Sequence, residues 1–352
     1  MARVPALVPA EHTSDHVLVV PRPEGGDGRE GHDLPGLAAA WFDDVGWLTA
    51  PTRDEPARPA GGARFHGVRA APRATTGVLR LGEEHRAAGP FPVEVPAAAA
   101  LGCGHPADAW ALGRTDGALD ARGGRPAVHD DRDGIARAFA AALPAGEELR
   151  LVRWAVAVAR RTAGVLLANG RHVLRPDPAA SVDLTLWPDR AVPAGELLEV
   201  VRSVVATATL EAVPTGGHSG GHSGGHGGGH GGGPGHGVLA RTPYDGDLLV
   251  SADVARALPR ALAARARPAG AAPGAVVRLA WRPQDPYELQ VSVPSGVHVI
   301  ARDRARDLLA RVATLLQRRA GGTVVDDAGF VVTTTELEAR RAAPPPGARA
   351  WV

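Results

Sequence analysis

Five histidines come nearest, in type and spacing, to a ligand set in this chain. His218, His222, His226 and His230 recur every four residues and His236 follows, in a tract (216–237) that otherwise holds 14 Gly, two Ser and one Pro. Neutral imidazole suits Ni(II), Zn(II) or Cu(II), and glycine between the rings lets the chain fold back so that several reach one ion. The same spacing would align the rings on a helix, but each Gly there costs about 1 kcal/mol relative to Ala, which rules a stable helix out. The tract has no carboxylate to orient a ring, as well-held metal sites do. The expectation is weak Ni(II) or Zn(II) binding by a loop, with no cofactor required. Its rival is neutral expansion, since lengthening a hairpin tip costs only about 0.6 kcal/mol per doubling.

The tract also matches the hydrolase pattern G-x-S-x-G twice, at Ser219 and Ser223. That chemistry needs the serine on a tight strand-to-helix turn, and here more glycine follows where the helix should begin. The matches therefore belong to the repeat. Three further groups have bland readings. His129-Asp130-Asp131-Arg132-Asp133 precedes an expected helix, where Asp133 would cap free N–H groups and the acids would favour the positive end of the dipole. Tyr244-Asp245-Gly246-Asp247 reads as a turn entering a strand. Cys103 and His105 are too close in sequence to converge as a nucleophile and its base, so Cys103 is expected to be inert.

Composition excludes more chemistry than it suggests. All 39 basic residues are Arg, balanced by 38 acidic ones, so a Schiff-base enzyme, a Walker-A nucleotide binder and a protein kinase all lack their lysine. No run of basic residues points to nucleic acid or an anionic membrane. One cysteine makes no intramolecular disulfide, no secretory leader is visible, and the apolar stretch from Trp154 to Leu167 is broken by Arg160 and Arg161. A cytoplasmic protein without a membrane segment is expected.

The elements that must position these groups alternate along the chain. Apolar periodicity predicts strands at 16–20, 77–81, 91–95 and 109–113, and helices at 36–47, 134–143 and 148–163, followed by a hairpin at 165–174. A second set reads strand 182–187, helix 194–205, strands 207–213, 238–241 and 247–251, helix 252–266, strands 275–281 and 288–293, helix 300–320 and a strand-bearing tail at 323–332. Trp154, Trp187 and Trp281 fall on these elements as packing anchors.

The two sets are related. At an offset of 158, Arg153–Leu174 matches Arg311–Val332 without gaps, sharing a helix that ends in Arg-Arg, a glycine (Gly164, Gly322) and two short apolar strands. Ser14–Pro21 and Ser181–Pro188 both give a short apolar strand closed by proline. The expected architecture is α+β: two tandem, duplicated ferredoxin-like sandwiches, with a long Gly/His hairpin loop in the second. Their bounds are 14–180 and 181–338, the loop is 216–237, and 1–13 and 339–352 are flexible ends. The leading functional expectation is a non-enzymatic binding or regulatory protein whose partner is a protein or small ligand. A metal-binding accessory protein that buffers or delivers Ni or Zn through the loop comes second, and a hydrolase last.

Overall fold

The structure, a computed structural model, describes residues 7–22, 32–52, 76–116, 122–124, 131–213, 235–254, 257–263 and 274–342. It divides into two units, one of residues 1–128 and 133–177, the other of 129–132 and 178–352. The first unit runs β1 (His16–Pro21), α1 (Leu34–Ala39), β2 (Val45–Thr49), β3 (Gly77–Leu81), β4 (His85–Val93), α2 (Val95–Ala100), β5 (Ala107–Arg114), α3 (Ile135–Ala138), α4 (Gly146–Thr162), β6 (Val165–Ala168) and β7 (His172–Leu174). The second runs β8 (Leu184–Trp187), α5 (Ala194–Val204), β9 (Thr209–Val213), β10 (Gly235–Thr242), β11 (Gly246–Val254), α6 (Arg260–Ala263), β12 (Ala275–Arg282), α7 (Gly296–Ala320), β13 (Thr323–Asp326), β14 (Val331–Val332) and α8 (Thr334–Ala342).

Each unit builds one seven-stranded antiparallel sheet, and the two share a strand order. It is β2-β3-β4-β5-β1-β6-β7 in the first and β9-β10-β11-β12-β8-β13-β14 in the second. The unit's first strand thus sits inside the sheet, between the end of a four-strand meander and a short hairpin. β1 is apolar almost throughout because both of its faces are covered. Val17 and Val19 pack beneath Leu7, Ala98 of α2 and Leu101, while Leu18 faces the other way, towards the side that α4 covers. In the second unit Leu184, Leu186, Val250 and Leu279 meet Leu197 and Val201 of α5 and Leu309, Val312 and Leu316 of α7. Behind that sheet, Leu262 of α6 covers Trp187, Val276 and Val325.

The repeat persists in detail. α4 and α7 end at Thr162 and Ala320, and the strands after them pair the same way, Val165 with Val19 and Thr323 with Trp187. A Cβ on Gly164 would collide with the carbonyl oxygen of Val19, and one on Gly322 with that of Trp187. Both glycines let the turn cross the backbone of the central strand. The left-handed residue itself differs: Ala163 (φ 53°) in the first unit, Gly321 (φ 69°) and Gly322 (φ 93°) in the second. Pairing also moves the expected alignment of Ser14–Pro21 with Ser181–Pro188 by one residue, so that Asp15 corresponds to Asp183. The edge hairpins carry long connections at equivalent places, residues 50–76 between β2 and β3 and 214–234 between β9 and β10.

Each unit is α+β, with a seven-stranded sheet where a βαββαβ ferredoxin-like sandwich has four strands. Several expectations fail on long-range pairing. Trp47, placed at the end of a helix, lies on β2, since the helix stops at Ala39 and Val45–Thr49 pairs with β3. Of the helix expected over 252–266, Ala252–Val254 instead extend β11 in its pairing with β12, and Arg260–Ala263 form α6. The strand expected over 288–293 is a short 3-10 turn, Pro286–Leu289, capped by Asp285. The helix expected over 134–143 is only the four residues of α3. Leu7 is buried rather than part of a loose end, and α8 continues through Ala342. Among the described residues no helix is long and apolar enough to cross a membrane.

Candidate functional site

Polar groups gather where the central strand of each sheet begins. In the first unit His16 opens β1 on the side of the sheet that faces α4, and α4 turns Glu148 inward at helical spacing with Leu151, Val152 and Ala155. His16 and Glu148 are 5% and 3% exposed. The Asn169 N–H, in the turn between β6 and β7, donates to His16 Nδ1 at 3.0 Å. Nδ1 is therefore the unprotonated nitrogen, and Nε2 carries the hydrogen that meets Glu148 Oε1 at 3.2 Å. Arg122 closes the set, one guanidinium nitrogen donating to both oxygens of Glu148. Its guanidinium lies 5.3 Å from the centre of the Phe139 ring, which meets His16 edge-on.

This geometry decides what the group can do. A general base or a metal ligand needs a free imidazole lone pair, and the one on His16 already accepts the Asn169 N–H. Glu148 is compensated by Arg122. The set joins β1, the β6–β7 turn, α4 and the segment at Arg122, which makes an isolated bridge to Pro144.

The second unit fills the same place differently. Leu184 stands where His16 does, and Arg306 stands at the position of Glu148 in the helix repeat. Polar contacts lie just outside the strand. Asp183 Oδ1 accepts the Trp281 N–H at 2.9 Å, Ser181 Oγ donates to Asp327, and Arg340 donates to the Ser181 carbonyl at 3.2 Å. The Asp183 side chain is solvent-exposed but crowded by protein. Desolvation, helped by the Asp327 carboxylate, pushes it up to about 6 against the opposing pulls of the Trp281 N–H and Arg132. In the first unit Asp15 accepts from His12 Nδ1 at 2.8 Å and lies over Gly113.

The residues singled out from sequence are placed elsewhere. His218, His222, His226, His230, Ser219 and Ser223 lie outside the described residues, as do His129 and Asp130. His236 is exposed on β10, opposite Ala212, so β10 takes up the last three residues of the expected loop. Asp133 does not cap the helix that follows it: the cap is Gly134, and Asp133 instead pairs with buried Arg160 at 2.6 Å. Asp245 sits in the expected turn, and Cys103 is buried with its thiol pushed up by desolvation. Among the described residues no three His, Cys, Asp or Glu side chains gather as a metal-holding group. His16 and Glu148 do carry a signal in the sequence: each is a polar residue at a position whose periodicity demands a core side chain.

Comparison with models of protein families, with curated proteins and with solved structures finds no match to this chain.

Proposed function

We propose that the chain is a non-enzymatic binding or regulatory protein of two similar α+β modules. The observation that carries this reading is that the repeat keeps residues of its scaffold and varies the pair that the first unit buries between sheet and helix. The glycine over the central strand and the aspartate at its start recur, whereas His16 and Glu148 give way to Leu184 and Arg306. A His–carboxylate pair with both ring nitrogens engaged is suited to holding a scaffold rather than to moving a substrate proton. The partner in this reading is a protein or small ligand. The test pairs two assays on the full chain. Model esters and phosphate esters should show no turnover above buffer, while a thermal-shift panel of small molecules and peptides should raise Tm for at least one class. Turnover abolished by Glu148→Gln overturns the reading.

A second reading, metal buffering or delivery of Ni or Zn, is favoured by one specific observation. β9 and β10 stay paired up to Val213 and Gly235, so residues 214–234 leave and return at one hairpin tip, with His236 exposed at its root. Replacing 214–234 by a short turn is expected to abolish Ni(II) retention in a calorimetric titration while changing stability by less than about 1 kcal/mol. Binding in the parent chain should fade as the imidazoles protonate below about pH 6.5. Equal affinity in the two proteins would remove the loop from consideration.

A further inference from the structure

α7 begins two turns earlier than α4 does relative to their shared end, and that overhang holds a buried histidine with no counterpart in the first unit. His298 is 6% exposed, and its ring lies 5.0 Å from that of Trp281. Its surroundings form a clasp. Ser295 caps α7 by accepting the His298 N–H at 3.2 Å, and Glu288, from the Pro286–Leu289 turn, accepts the Ser295 N–H at 2.8 Å. Trp281, on β12, is held by its indole N–H, which donates to the Asp245 carbonyl at 2.6 Å. The charged groups facing the imidazole are Arg302, one turn along its own helix, and Glu288 and Asp285 from the short turn; β12 contributes the uncharged indole.

We propose that His298 is the trigger of an acid-sensitive clasp, in which protonation of its imidazole releases the first two turns of α7 from Trp281 and from the Pro286–Leu289 turn. Desolvation and the Arg302 guanidinium disfavour the second ring proton more than Glu288 and Asp285 favour it, so the pKa is lowered. The positive end of the α7 dipole acts in the same direction. Release returns the ring to water, where it takes its proton at about pH 6.5. The released form therefore binds protons more readily. The clasp keeps its full strength above about pH 6.5 and loses it as pH falls towards the lowered value in the closed form, about tenfold in the opening equilibrium for each unit of lowering. Opening would add the inner faces of Trp281 and Ala301 to the already exposed Val293, Val297 and Ile300, enlarging one apolar surface in acid.

Amide hydrogen exchange of the full chain, corrected for intrinsic rates, tests the proposal over residues 281–289 and 296–303. Protection is expected to fall at least about threefold between pH 7.5 and 5.5. His298→Gln should remove that dependence, and Arg302→Gln should move its midpoint up towards 6.5. The same pH dependence in His298→Gln, or none in the parent chain, overturns the proposal. If His298→Gln opens the segment at both pH values, the imidazole titration of the parent chain, followed by NMR, decides the matter. A midpoint below that of a free imidazole supports the trigger, and one at or above it overturns it.

Discussion

The two units share a strand order and differ in what stands at the head of the central strand. In the first, a neutral histidine and a compensated carboxylate are buried between sheet and helix; in the second, leucine takes the strand position and Asp183 accepts the Trp281 N–H from just outside the strand. The contrast separates what the topology demands from what it tolerates. A glycine over the central strand is demanded, because a backbone passes there. The buried polar set is tolerated, and holds only while every member keeps its partner.

The largest effect should come from breaking that set. Glu148→Ala leaves the Arg122 charge and the His16 N–H uncompensated, and is expected to destabilise the first unit by about 3 kcal/mol while leaving the second untouched. Exchange-rate mapping resolved by unit would read this. The double change His16→Leu with Glu148→Met, which gives the strand position the second unit's leucine and fills the carboxylate's place with an apolar side chain, should cost clearly less than Glu148→Ala alone. An equal or greater cost would mean that the polar set is built into the sheet geometry.

Next in size are the two glycines. Gly322→Ala should cost about 2–3 kcal/mol and Gly164→Ala about 1–2 kcal/mol in thermal or denaturant unfolding, since both add a Cβ against a carbonyl and only Gly322 also has a positive φ. A neutral result at either would show that this turn can shift away from the central strand, and would weaken the structural equivalence of the two halves.

The smallest effect concerns pH. Asp183 has a folded value of about 6, above the ordinary aspartate value of 3.8, so the folded chain binds the extra proton between those limits and loses stability as pH rises through them. Asp183→Asn can still accept the Trp281 N–H and should gain about 1 kcal/mol at pH 7.5, a figure discounted because water reaches the side chain. The gain should vanish below about pH 4. A gain that is unchanged at low pH would assign it to packing.

Local pattern revealed the repeat and most of its strands, including Gly77–Leu81 to the residue. What local pattern could not reveal was pairing. Ala252–Val254 lies in an alanine-rich stretch that favours helix, yet it completes the ladder with Ala275–Val277. The candidate site was legible only as an anomaly. His16 breaks the apolar run of β1 and Glu148 breaks the inward stripe of α4, but their meeting, across 132 residues of chain, depends on how the helix lies on the sheet. Arg122 and Phe139 carry no such mark: Arg122 stands on an isolated bridge and Phe139 just past the end of α3.

The edge hairpins give the likeness of the two sheets a practical meaning. Residues 50–76 and 214–234 interrupt the same connection in each sheet, one rich in arginine, proline and alanine and the other in glycine and histidine. A single place in the fold has accepted two unrelated cargoes of chain, and neither interrupts the strand order. Chain length at that hairpin is thus uncoupled from the core, and either tip offers a port where a reporter or affinity label could be grafted into one half without disturbing the other.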